Sequence, residues 1–208
     1  MKQVEWILDA FHGTTSEAAD SIIEAGYLES SGAGHWFGNG IYFSVRDPIF
    51  AMRFVEGQIK RRKRQETTDE PISWSVLRSK INMSSIFDLT LTQNKEILSV
   101  FGARLLQEIP QSAMEAKQDQ IVRELDSLVL NTFKEEQLDA QLNPKYSGVI
   151  GISAARNGPV PKGVVPSDGP LYTAHNKASW FDLHDHLQLC IWDKSCIETT
   201  EIYFQGEI

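Results

Sequence analysis

The spacing of apolar and polar residues changes period several times along the chain, and each change marks an element. Residues 4–12 (VEWILDAFH) are largely apolar, which predicts a buried strand ending at His12. Thr15 or Ser16 then caps a short helix that turns Ala18, Ile22 and Ile23 inward and stops at Gly26. Four glycines in 32–40 make that stretch a loop, and Ile41-Tyr42-Phe43 opens the next strand. Asp47-Pro48 has the form of a helix start, with Asp capping and Pro in the first turn. The helix over 48–62 is predicted to bury Phe50, Ala51, Phe54 and Ile59 and to end in the basic run Lys60-Arg61-Arg62-Lys63-Arg64. After a polar loop at 65–71, WSVLRSKINM and SSIFDLT read as strand, turn, strand.

From 93 to 142 the period is helical. Ile97, Phe101, Leu105 and Leu106 form one apolar face, and Ile121, Leu125, Leu128, Val129 and Phe133 form a second, with Pro110 between them. This predicts two or three helices packed on each other and on a sheet; a partner-binding helix is the rival reading. A short strand is expected at 146–152, a Pro- and Gly-rich loop at 156–170, and two closing strands at 187–193 and 198–205. Strands first, helices in the middle and strands last make the fold class α+β.

Composition narrows the picture. A chain of 208 residues with 41% hydrophobic content suits one globular domain over 1–208, or one domain with an insertion. Its apolar runs are short and broken by charge, so no membrane span is expected. The first residues, with Glu5 and Asp9, do not read as a signal peptide. Cys190 and Cys196 are too few for a disulfide scaffold, and no Cys/His set has zinc spacing. No metal and a cytoplasmic location are the expectations. A net charge of -8 excludes a generally basic nucleic-acid surface. The exception is the run at 60–64, read either as a solvated helix end or as a local contact for a phosphate or an acidic partner. The C-terminal EIYFQG looks like a protease-site tag but has the wrong spacing, and is read as a strand.

Two segments carry candidate chemistry: His12-Gly13-Thr14, and Gly38-Asn39-Gly40-Ile41-Tyr42-Phe43. A neutral histidine donates at one ring nitrogen and accepts at the other, which suits a pair of ribose hydroxyls. Gly13 lets a flat ligand approach the backbone, whose N–H and C=O match a primary amide. Tyr42 offers a flat face for an aromatic ring, reached past Gly38 and Gly40. The glycines precede a strand, so the dinucleotide fingerprint of a doubly wound fold does not apply. Each segment alone has a plain reading, as a turn and as a core tyrosine.

In this order the two segments resemble the ADP-ribosyltransferases of the diphtheria-toxin and poly(ADP-ribose) polymerase branch. That family reads His-Gly-(Ser/Thr) and then Gly-x-Gly-(Ile/Leu)-Tyr-Phe. The resemblance covers these motifs and a third near residue 190; the middle of the chain has no counterpart, so about 93–142 reads as a helical insertion. It implies two splayed, mainly antiparallel sheets with NAD, as substrate, in the cleft. His12 would hold the adenosine ribose, Gly13 would pair with the nicotinamide amide, and Tyr42 would stack on the nicotinamide ring. Thr14 and Gly40 belong to the same binding set. The family often places a serine hydroxyl where Phe50 stands, so Ser44 or the backbone would substitute, with Phe54 on the other ring face.

The third family motif, Glu-Tyr-x-Val-Tyr-Asp, aligns with Gln188-Leu189-Cys190-Ile191-Trp192-Asp193, which puts Gln188 at the carboxylate position. Breaking the nicotinamide–ribose bond develops positive charge on the sugar. Losing one preorganised electrostatic contact costs on the order of 10²–10³ in rate. The expected catalytic set is His12, Tyr42 and Gln188. Three readings stay open. Gln188 replaces a glutamate to disarm the enzyme, or it belongs to a slow mono-transferase that uses the acceptor's own carboxylate. In the third, the register differs or the chain binds without turnover. Glu198 and Glu201 lie too far along the next strand, and Asp185 would need a bulge.

SWFDLHDH, with Trp180, Phe181, His184, Asp185 and His186, is either an acceptor-touching loop or a hydrophobic plug. His186-Leu187-Gln188 lacks the Glu-x-Glu of the arginine-specific branch, and two histidines two apart make a weak metal signal. His35, His175 and Asn176 line the cleft or are structural. The function expected from the resemblance is transfer of one ADP-ribose from NAD to a macromolecule, releasing nicotinamide. Protein is the favoured acceptor and nucleic acid stays open. An NAD glycohydrolase and a silent NAD-binding module are the alternatives. By analogy of size and fold, the chain suits a bacterial or phage toxin or effector acting in a cytosol, with an antitoxin or inhibitor as a candidate partner.

Overall fold

The computed structural model describes residues 6–32, 35–67, 69–107, 118–137, 145–154 and 185–208. Their elements are β1 (Ile7–Thr15), α1 (Ser16–Ala25), β2 (Ile41–Val45), α2 (Pro48–Glu66), β3 (Ser73–Asn82) and β4 (Ile86–Asp88). There follow α3 (Thr92–Gln107), α4 (Gln118–Glu136), β5 (Gly148–Ala154), β6 (Asp185–Ile191), a 3-10 turn (Lys194–Cys196) and β7 (Ile197–Glu207). The fold is α+β.

All seven strands form one mixed sheet in the order β4-β5-β6-β2-β1-β3-β7. Only β4 and β5 run parallel; every other neighbouring pair is antiparallel. The expected pair of sheets is therefore a single sheet with a short seam. β1 and β3 match along their whole length, from Ile7↔Asn82 to Thr15↔Trp74. β1 and β2 share only Ala10↔Val45 and Phe11↔Ser44. Beyond those pairs the strands part: His12–Thr15 follow β3, while Ile41–Phe43 follow β6.

Strand alternation gives the sheet two faces. One carries Leu8, Ala10, Phe43, Ile81, Leu189 and Ile191 under α1 and Tyr27. On the other, α2 seats Ala51, Val55 and Ile59 on Phe11, Trp74 and Val76. Beside it, Leu130 and Phe133 of α4 pack on Phe87, Val149, Cys190 and Trp192, with Phe101 of α3 against them. α3 and α4 thus cover part of the sheet.

Several boundaries differ from the sequence expectation. β1 continues through His12-Gly13-Thr14 to Thr15, because β3 pairs with it throughout. α1 has the expected cap, Thr15 accepting from the Ala18 N–H, but buries Ala19 and leaves Ile23 exposed. α2 runs one turn past 62, so the basic run lies inside the helix. Its buried face is Ala51, Val55 and Ile59, and Phe54 is 52% exposed. β3 and β4 are consecutive but not paired; β4 joins β5 on the far side of the sheet. In the helical region Ile97 and Leu128 are exposed, and Leu130 and Phe133 are the buried anchors of α4. The predicted loop at 156–170 lies outside the described residues.

Candidate functional site at the seam

Three polar features lie on β1 and β6, the strands that flank β2 at this parting. The first is the backbone of Gly13. The Arg46 N–H donates to the Asp9 carbonyl, and Ser44 Oγ lies 3.3 Å from the Phe11 carbonyl, so odd-numbered residues of β1 turn their backbone groups toward β2. Alternation carries Gly13's N–H and C=O to the same edge, one step past the point where β2 leaves. Glycine is needed there for packing: a Cβ would lie 2.1 Å from the Ala51 carbonyl oxygen of α2. Thr14, half-buried, lies between this edge and the α1 cap.

The second feature is His12, on the opposite face. Its ring meets Tyr27 and Phe43 edge-on, with centroids 5.4 and 5.8 Å away. Nδ1 donates to the Tyr42 carbonyl at 2.7 Å. Burial pushes the pKa below the ordinary value of 6.5, partly offset by that bond, so the ring is neutral. With Nδ1 protonated, Nε2 remains an acceptor.

The third is Gln188. It pairs with Ser44 on β2 and Gly151 on β5, and alternation puts its side chain on the face of Tyr42 and Ser44. Its Oε1 is buried without a hydrogen-bond partner among the described residues. An unsatisfied buried acceptor costs about 1–3 kcal/mol, and such an atom marks a place where a donor is wanted.

Tyr42 is held from its hydroxyl, which donates to the Gly38 carbonyl at 2.7 Å and accepts from the Phe37 N–H at 2.9 Å. Burial drives its pKa upward, with Cys190 alongside contributing next. The edge of the His35 ring meets the Tyr42 ring at 5.2 Å. The glycines that frame Tyr42 serve the protein's own contacts. Gly38 has φ +76, and a Cβ on it would lie 2.4 Å from Asn131 Oδ1, which accepts from the Asn39 N–H at 2.7 Å. A Cβ on Gly40 would lie 2.5 Å from Cys190 Sγ and 2.6 Å from the Ile191 carbonyl oxygen.

The other expected binding residues are placed differently. Ser44 is buried, and its hydroxyl donates to the Asp47 carbonyl at 2.7 Å, tying β2 to the start of α2. Phe50 stacks on His186 with centroids 3.4 Å apart and planes 22° from parallel. Phe54 points outward from α2. Trp180, Phe181, His184, His175 and Asn176 lie outside the described residues. Asn131 was not singled out from sequence; it is 92 residues from Asn39, beyond any local pattern. No cluster of three metal-ligating side chains occurs among the described residues.

Two hollows lie elsewhere on the surface. One of about 870 Å³ is lined by Asp9, Phe11, Arg46, Lys80, Glu198 and Tyr203 among others. A smaller one of about 190 Å³ is lined by Trp6, Leu8, Met83 and Ile150 among others. Neither includes His12, Tyr42 or Gln188.

No family model matches the sequence, and no solved structure matches it. An uncharacterized protein of Methanocaldococcus jannaschii is 34% identical over 86 residues. That stretch is 41% of this chain and 38% of the archaeal protein, so the chain spans well under half of that relative's length.

Proposed function

We propose that the parting of β1 and β2 is an NAD site and that the chain is a mono-ADP-ribosyltransferase of the type its motifs resemble. The observation that carries the reading is the two-pair seam. It leaves Gly13's backbone edge beyond Phe11↔Ser44, with His12 beneath and Gln188 two strands away on β6. Gly13 supplies one donor and one acceptor, the complement of a primary carboxamide. His12 Nε2 accepts from a ribose hydroxyl. Tyr42, fixed through its hydroxyl, offers a ring face of set orientation. The unpartnered Oε1 of Gln188 accepts from a sugar hydroxyl. Ser44 and Phe54 have no part in this assignment.

Gln188 hydrogen-bonds but carries no charge, so binding is retained and turnover is slow. The acceptor is a macromolecule. The neutral side chain at 188 also favours a second reading, a module that binds NAD without consuming it.

The test incubates the chain and its Gln188→Glu variant with adenine-labelled NAD and a cell lysate. The transferase reading expects the Glu form to release nicotinamide and label a macromolecule about 10²-fold faster, as one restored catalytic charge implies. Free ADP-ribose without label points to a glycohydrolase. NAD binding with equal, negligible turnover in both forms selects the silent module. Absence of NAD binding in either form removes the site assignment altogether.

A further inference from the structure

The basic run at 60–64 is unexplained by the seam, and the structure resolves it into two groups. Lys60 pairs with Glu56 at 3.6 Å, Arg62 with Glu66 at 2.9 Å, and Lys63 Nζ donates to the Ile208 carbonyl at 3.0 Å. Arg61 and Arg64 are exposed, with no acidic or hydrogen-bonding partner among the described residues. Two turns or more toward the helix start, Arg53 is in the same condition.

These residues share a side of α2. The helix rests on Ala51, Val55 and Ile59. At 100° per residue, Arg53, Gly57, Lys60 and Arg64 fall on the ridge opposite that face, and Arg61 and Phe54 fall together on one flank. From Arg53 to Arg64 is twelve residues, about 16 Å of helix. Cations in a last turn complement the helix dipole, which accounts for Lys63 and Arg64. It does not account for Arg53, near the positive end. Midway, Gly57 has open space where a Cβ would stand, so a ligand backbone can lie close to the helix. Phe54 is 52% exposed, a large flat apolar surface beside these charges.

We propose that the outer face of α2 binds single-stranded nucleic acid. The chain is acidic overall, with a net charge of -8, so unpaired guanidiniums in a row need a polyanionic partner to be useful. A phosphate backbone supplies regularly spaced anions. Exposed Phe54 adds what a carboxylate-rich peptide cannot answer, a face on which an unpaired base stacks. A duplex hides those base faces, which favours a single strand. This inference stands independently of the NAD reading. If both hold, the acceptor is nucleic acid rather than the protein favoured from overall charge.

The experiment is fluorescence anisotropy with a fluorescein-labelled single-stranded DNA oligonucleotide of mixed sequence. The full chain is compared with a triple variant, Arg53→Gln/Arg61→Gln/Arg64→Gln. A control triple, Lys80→Gln/Lys95→Gln/Lys194→Gln, changes net charge equally at exposed positions off α2. The proposal expects at least about tenfold weaker binding for the α2 variant and little change for the control. It expects the slope of log affinity against log salt to shrink by about 2, at roughly 0.7 per lost phosphate contact. Phe54→Ala is expected to weaken the single strand more than a duplex of the same sequence. Equal weakening by both triples would mean net charge alone is read and overturns the proposal. So would displacement of the strand by polyglutamate at equal charge concentration, which would mark an acidic-protein surface. Should the triple unfold by circular dichroism, Arg61→Gln alone decides by the same salt slope.

Discussion

The His12 ring lies beneath the seam and gives its Nδ1 proton to the Tyr42 carbonyl, which has lost a neighbouring strand. The side chain therefore closes an edge as well as offering an acceptor. Burial lowers its pKa in the folded chain from an unfolded value near 6.5. Between the two values the unfolded state binds more protons, so stability falls as pH drops from 6.5 toward the native value. Urea unfolding above and below that range is expected to show this loss, and His12→Gln a flatter profile. A variant profile as steep as the parent's would place the pH dependence elsewhere. By residue type alone, both ring nitrogens suit ribose hydroxyls. That a backbone carbonyl takes one was not legible, because the carbonyl lies 30 residues away and is exposed only by the parting of two strands.

In loop 35–40 the two glycines serve the fold's own packing. The spacing Gly38-x-Gly40 suggested clearance for a ligand. In the fold both clearances are filled by the protein, one by Asn131 of α4 and one by Cys190 and Ile191 of β6. Those contacts fix the loop whose Gly38 carbonyl and Phe37 N–H hold the Tyr42 hydroxyl. Asn131→Ala removes the acceptor for the Asn39 N–H, at a cost of about 1–2 kcal/mol. Hydrogen exchange is expected to speed selectively at Phe37 and Asn39; uniform acceleration across the sheet would mean only global destabilisation. Element identities were legible wherever a cap or a period marked them, as at Thr15 and Asp47. The end of α2 was not. Its final turn rests on the Arg62–Glu66 pair and on Lys63 reaching Ile208, 145 residues away.

For the whole molecule, strand-rich ends around a helical middle conveyed the α+β class. They did not convey the order of the sheet. Adjacent segments 73–82 and 86–88 look like a hairpin but enter opposite halves, and the turn between them carries no sign of this. The order does settle which sequence neighbours share a face, and so why Gln188, Tyr42 and Ser44 face one way while His12 faces the other.

The same order governs how the chain must assemble. β6 completes the half that contains β2, and β7 completes the half that contains β1 and β3. Both therefore wait on one short stretch, Asp185–Glu207, and pairs such as Arg78 with Glu201 close a separation of 123 residues. Until that stretch arrives, β2 and β3 each present an unpaired edge, so early species are open to mispairing with other copies. Refolding is expected to be slow, with the β2 amides that face β6 and the β3 amides that face β7 gaining exchange protection in a single late phase. Protection of those β3 amides well before those of β2 would show that one half closes without the other.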